Sequence, residues 1–255
     1  MNPHKLIIQL CLCSIVIALC ILSAFAQARK PPIGGRLAVV VDERLAALRS
    51  TPQLSGRLVK RLSRGRFVAI RASRATTEGV VFYLVNVTSR THGWIQREAV
   101  VSAARPDDDR RLLDLIKVSD GFDRIVRARI FLDYFARSPL RPQVLLILSS
   151  AAEEQAAKLS HDAAQRLNGA LRERVNGVIR ERLNGSRDAP EFSYFMNYSG
   201  LDRYNRQRIG FIFDPTSKRF HYDGAALREL IRRYPHSPEA AEARKLLAAE
   251  IQSVK

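Results

Sequence analysis

The chain is poor in the residues that carry most protein chemistry. Its 255 residues include three cysteines, two methionines and one tryptophan. Cys11, Cys13 and Cys20 all fall within the first 28 residues. That stretch reads as a secretory signal. His4 and Lys5 lead into an uncharged run from Leu6 to Ala26, which closes on the small-residue patterns Ala24-Phe25-Ala26 and Ala26-Gln27-Ala28. Once it is cleaved no thiol remains, which excludes disulfides, thiolate metal sites and cysteine nucleophiles. Left uncleaved, the run approaches the about 20 residues that span a bilayer and would anchor the protein in the inner membrane. The bulky Leu19 before Cys20 argues against lipidation.

Catalytic signatures are lacking as well. His4, His92, His161, His221 and His236 are scattered, and no H-E-x-x-H occurs. There is no G-x-S-x-G elbow and no G-x-x-x-x-G-K-[ST] loop. No carboxylate pair stands out as acid and base. The sequence therefore reads as non-enzymatic, with no cofactor and no metal site.

Acidic residues are scarce in one region. Residues 30–105 carry 14 Lys and Arg against 4 Asp and Glu, whereas residues 106–255 carry 26 against 21, within a formal net charge of +17. Such a balance bears on attraction and encounter rate, not on fold. For an exported chain the available polyanions are peptidoglycan and other anionic envelope polymers, so no nucleic acid is expected as a partner. A membrane would be met only through the N-terminal segment. A solvated basic face without a ligand is the plainer reading of the same charge.

The length suits one large or two small domains. From residue 36 to 102 the pattern is of short strands. Arg36 to Val41, Leu58-Val59, Phe67 to Ile70 and Val80 to Val87 are rich in β-branched or aromatic residues. Ser63-Arg64-Gly65 and Ser89 to His92 supply turns. Close spacing of this kind predicts a small β-barrel.

Four stretches in this region, in this order, resemble the bacterial SH3-like (SH3b) domain. They are Ala46 to Pro52 (AALRSTP), Leu62 to Val68 (LSRGRFV), Phe82 to Val85 (FYLV) and Gly93-Trp94-Ile95. Ala47, Thr51 and Phe82 stand where the family usually has Asn, Gly and Trp. The resemblance implies an SH3-like barrel without catalytic activity, of a kind that accompanies cell-wall enzymes and in some members binds peptidoglycan peptides. The candidate ligand-binding residues are Arg49, Tyr83, Arg90 and Trp94. Trp94 serves either as barrel core, with its indole N–H satisfied internally, or as a stacking surface. Arg49 and Arg90 suit paired hydrogen bonds to an acidic group.

Residues 107–255 read as mostly helical. Asp107-Asp108-Asp109 opens a helix, where acidic residues suit the dipole and capping. A second helix spans about Asp120 to Ala136, with Phe122, Ile125, Phe131, Leu132 and Phe135 on one face. Pro142 opens a third, whose apolar Val144 to Leu148 predicts burial. An eight-residue repeat (RLNGALRE, RVNGVIRE, RLNG) occupies 166–185. Its apolar positions recur every four residues, which predicts helix rather than hairpins. An aromatic-rich connector with a hairpin spans 190–222. Leu227, Leu230, Ile231 and Tyr234 then form an amphipathic helix, and Ser237 N-caps the alanine-rich helix after it. Tyr234-Pro-His-Ser-Pro238 and Phe135-Ala-Arg-Ser-Pro139 with their following helices resemble the tetratricopeptide-like (TPR-like) repeats of bacterial envelope proteins.

The expected fold class is thus α+β and multidomain: a 1–28 signal or anchor, a 36–102 SH3-like β-barrel, and a 107–255 helical TPR-like domain with a hairpin insertion. The expected function is that of a non-catalytic exported protein of the periplasm or cell envelope. Its barrel would bind cell wall or a protein partner, and its helices would form a protein-interaction scaffold. The alternative is an accessory subunit or uncommon hydrolase with its site in 190–222.

Overall fold

The computed structural model describes residues 34–175 and 200–253. Residues 1–28 and all of 190–199 therefore lie outside the described residues. Among those described, no helix is long and apolar enough to cross a membrane. The chain divides into two compact units between Ser102 and Ala103.

The first unit is a seven-stranded antiparallel sheet. Its strands are β1 (Arg36–Val40), β2 (Ala47–Arg49), β3 (Leu58–Arg61), β4 (Phe67–Ala75), β5 (Val81–Asn86), β6 (His92–Gln96) and β7 (Val100–Val101). They lie in the order β3-β2-β6-β5-β4-β1-β7. Among the described residues the expected barrel does not close: β3 and β7 are both edges. β3 is four residues long, β7 only two, and no ladder joins them. One face of the sheet nonetheless packs around a single cluster that includes Val40, Leu48, Val68, Ile70, Tyr83, Val85 and Ile95.

The period of two along the strands explains this cluster. Tyr83 and Val85 of β5 and Ile95 of β6 point inward, while Phe82, Leu84 and Trp94 point to the opposite face. A bulge in β4 then changes which residues lie on which face. Ile70 pairs with the inward Val85, but Ala72 pairs with the outward Leu84, so Arg71 is the extra residue. The bulge turns Ala72 and Arg74 onto the outer face, as bulges re-aim the residues beyond them.

The second unit is mainly helical. Its elements are α1 (Asp108–Lys117), α2 (Gly121–Tyr134), α3 (Arg141–Val175), α4 (Leu201–Asn205), a hairpin of β8 (Phe211–Asp214) and β9 (Arg219–Tyr222), α5 (Ala225–Arg233) and α6 (Pro238–Ser253). The long α3 is the spine, against which α2, β9, α5 and α6 pack. An α+β class is therefore established. The expected third helix and the first copy of the octad form one continuous helix, α3. The remainder of the repeat, 176–185, lies outside the described residues. Val144, Leu145 and Leu148 are buried as expected, but Leu146 and Ile147 are only half-buried, because α3 leaves one side uncovered there.

The aspartate triplet departs from simple capping. Asp107 precedes α1 in the left-handed region at φ 63° and makes no side-chain cap bond. Asp108 is buried between Arg105 (3.4 Å) and Arg111 (3.3 Å). Asp109 accepts a 2.7 Å bond from the Ser138 hydroxyl. Charge pairing across the turn outcompetes the cap. At the other end of the unit Ser237 does cap: its hydroxyl accepts the Ala240 N–H at 3.1 Å.

Arg141 joins the two Ser-Pro turns. It is 5% exposed. Its guanidinium donates to the Leu132 carbonyl at 2.6 Å, to the Phe135 carbonyl at 3.5 Å and to the Tyr234 hydroxyl at 3.0 Å. Glu229 lies 3.7 Å away. The carbonyls that a helix end leaves without intrahelical partners are thus satisfied by a buried cation.

Candidate ligand groove on the outer face of the sheet

The outer face of the sheet brings together residues from four strands. Arg49 of β2, Trp94 of β6, Leu84 of β5 and Ala72 of β4 are in register across the strands. The neighbouring row is Gln96, Phe82 and Arg74. Adjacent strands lie about 4.8 Å apart, so Arg49 is a direct neighbour of Trp94, and Arg74 of Phe82.

Beside these rows lies a groove of about 790 Å³. One wall is the 51–55 segment. The other is the β4–β5 hairpin from Arg74 to Glu78, with Val80 and Phe82 completing the lining. Phe82 is fully buried and lies at the back of the groove. The polar lining is Thr51, Gln53, Ser55, Thr76 and Thr77, with Arg74 and Glu78 as its two charged groups. The ring of Phe82 has no exposed surface, so the chemistry the groove offers is polar: hydroxyls and amides with the Arg74 guanidinium beside them, a composition suited to a carboxylate or amide.

Two glycines set this geometry. Gly93 is where β2 presses on β6: a Cβ there would meet the Arg49 carbonyl oxygen at 2.7 Å and Leu48 Cγ at 2.9 Å. The missing side chain lets β2 approach closely enough to place Arg49 beside Trp94. Gly56 allows the 50–57 loop to fold on itself, since a Cβ there would meet Thr51 Oγ1 at 2.5 Å. The loop is further held by Ser50 N–H to the Arg57 carbonyl at 3.0 Å and by Arg49 Nη1 to the Gly56 carbonyl at 2.8 Å. Arg49 therefore orients the groove wall rather than presenting a free guanidinium.

The four candidates separate in space. Arg49 and Trp94 are neighbours on the outer face. Tyr83 is 6% exposed and faces the inner cluster. Arg90 lies on the exposed β5–β6 turn. Trp94 is half-buried and outside the inner cluster, so its indole is not the packing centre of the unit. Arg74 and Phe82 as site residues were missed by sequence reasoning. The signal that hides them is the bulge at Arg71, because unbroken alternation in β4 would put Ala72 and Arg74 on the same face as Ile70.

The described part of the aromatic segment, 200–222, serves packing. Tyr204, Phe220 and Tyr222 are buried. Tyr204 meets Phe122 and Phe211 edge-on, at 5.2 and 5.1 Å between ring centres. Its hydroxyl donates to Gln155 at 2.9 Å. The Tyr222 hydroxyl accepts the Ala226 N–H at 2.8 Å, and burial pushes its pKa up to about 12. Arg129 is lowered from its ordinary value, first by burial and then by the charge of Arg208. Asp214 is lowered chiefly by the Ser217 hydroxyl and then by the Thr216 N–H, which close the hairpin loop. Among the described residues no group of three or more His, Cys, Asp or Glu is placed to hold a metal ion.

Comparison with protein-family models, with curated proteins and with solved structures gave no significant match.

Proposed function

We propose that this chain is a non-catalytic exported protein of the cell envelope. Its β unit is an SH3-like module that recognises peptidoglycan or another anionic envelope polymer. Its helical unit is a TPR-like scaffold for a protein partner. The observation that carries this reading is the outer-face groove, where Phe82 and Arg74 lie beside the Arg49–Trp94 row. A polar groove with a guanidinium at its rim suits the amide and carboxylate groups of a wall peptide. The basic balance of residues 30–105 supports attraction to an anionic polymer at longer range. Export rests on the 1–28 pattern, and the scaffold role on the two Ser-Pro helical turns.

The test is co-sedimentation of the purified protein with cell-wall sacculi across a salt series. Binding is expected to survive about 0.5 M salt, where the Debye length is below the about 8 Å of physiological salt and surface attraction is screened. Trp94→Ala and Arg74→Gln are each expected to abolish that salt-resistant fraction. Binding that vanishes with salt and ignores both substitutions reduces the surface to a non-specific cationic face.

A further inference from the structure

We propose that the free edge of β3 is a docking strand for an extended, acidic segment of a partner protein. Three observations meet at this edge.

Among the described residues β3 pairs with β2 alone, and all four of its residues are exposed. An edge strand presents N–H and C=O groups that template a further strand. The bulge between Leu48 and Arg49 in the pairing makes Val59 the extra residue of β3.

The edge is apolar where surface strands are usually polar. Leu54, Leu58 and Val59 are 49%, 46% and 44% exposed. They are neighbours in sequence, whereas Val118, Ile212 and Leu246, the other large exposed apolar residues described, lie apart in the second unit. Scattered apolar residues are ordinary on a surface, but a contiguous set marks contact.

The surrounding charge has one sign. From Arg44 to Thr77 there are nine Lys and Arg and no Asp or Glu. Several of these cations are engaged: Arg44 with Asp42, Arg49 with the Gly56 carbonyl and Arg66 with the Val87 carbonyl. Arg57, Lys60 and Arg61 are exposed and flank Leu58 and Val59.

This charge also selects the occupant. Pairing β3 with a second copy of itself would bring two Lys60 and two Arg61 into one short ribbon with no anion, and like charges across a ribbon are destabilising. A glycan polymer would answer the charge but leave the backbone edge and the apolar side chains unused. Lys60 pairs with the inward Leu48, whereas Arg61 and Leu58 pair with the outward Ala47 and Arg49, so the two cations lie on opposite faces of β3. A segment that carries both carboxylates and apolar side chains on each of its two faces, as a repeat of two acidic and two β-branched residues does, answers all three: its backbone extends the ladder, its apolar side chains meet Leu58 and Val59, and its carboxylates meet Lys60 and Arg61. The outer-face groove is not required for this contact.

The test uses the purified protein, the octapeptide Glu-Glu-Val-Val-Glu-Glu-Val-Val, which shows both residue types on each face, and the same peptide fully N-methylated, which keeps the charge and loses every amide donor. Hydrogen–deuterium exchange is read over residues 57–61 and affinity by titration. The octapeptide is expected to protect 57–61, and N-methylation to weaken binding at least about tenfold. Lys60→Glu with Arg61→Glu is expected to weaken it by a similar factor without changing the melting temperature, since both side chains are exposed. Equal binding of the N-methylated peptide, absence of protection at 57–61, or no binding at all overturns the proposal. Sacculus binding that needs Lys60 and Arg61 while the octapeptide fails would also overturn it, and would leave the groove reading standing.

Discussion

Arginine has opposite roles in the two units. In the helical unit the arginines that matter to the packing are engaged, and two of them, Arg127 and Arg141, are buried. Arg141 ties the two Ser-Pro turns together, Arg127 (7% exposed) bonds the Ser119 hydroxyl, and Arg105 and Arg111 enclose Asp108. Arg129 reaches the Gln207 carbonyl at 2.8 Å, and Arg208 pairs with Asp133. In the β unit the cations Arg57, Lys60, Arg61, Arg71 and Arg74 are exposed on short strands and loops around an aliphatic core. A cation surrounded by helix-end carbonyls and carboxylates acts structurally. The same group on a sheet with few acids nearby is left available to bind. Net charge alone does not distinguish these roles; the supply of local acceptors does.

The largest expected effect comes from removing the most engaged cation. Arg141→Met leaves the Leu132 and Phe135 carbonyls and the Tyr234 hydroxyl without their donor, and should cost the helical unit about 3 kcal/mol. Urea unfolding followed by far-UV helix signal should show its midpoint drop, with the β-unit transition unmoved. A shift of both transitions would contradict the separation of roles.

Gly93→Ala strikes the other unit. The added Cβ meets β2 backbone at 2.7 Å, so a loss of about 2 kcal/mol is expected, in the range of overpacking. Trp94 emission, reporting the β unit, should follow an earlier thermal transition while the helical signal does not.

Tyr222→Phe separates burial from hydrogen bonding. At neutral pH it should cost about 1 kcal/mol for the acceptor lost to the Ala226 N–H. The folded pKa of about 12 exceeds the unfolded value, so the neutral hydroxyl contributes stability that is complete below about pH 10 and lost as pH rises towards 12. Urea midpoints between pH 10 and 12 should fall more steeply in the parent than in the variant. Parallel lines would show that Tyr222 does not titrate as described.

The smallest stability effect belongs to Arg74→Gln, within about 0.5 kcal/mol, because the side chain is exposed. A larger loss would make Arg74 structural and remove it from the ligand role.

Much of the fold was legible in the sequence. The strand pattern of 36–102, the 209–222 hairpin and the Ser237 cap follow from local residue types. The open sheet was not legible, because closure depends on pairing between β3 and β7, and no short strand encodes its partner. The site was half legible. The Gly93-Trp94 pair marked one row, and the close approach of β2 at Gly93 explains why Arg49 joins it. Arg74 and Phe82 were hidden by the bulge at Arg71, a break in register that the apolar pattern of Phe67 to Ile70 does not announce. Tyr83 falls on the inner face by simple alternation with Phe82 and Leu84. Reading β5 by its period of two would have separated it from Trp94.

The most direct test of the account is the emission of Trp94, the only tryptophan, on titration with soluble peptidoglycan fragments at about 0.5 M salt, in the parent and in Arg74→Gln. A saturable change in the parent that is lost in the variant is predicted, because the ligand would sit one row from the indole and be held at the groove rim. No change in the parent, or an equal change in both, would contradict recognition through the outer face of the sheet.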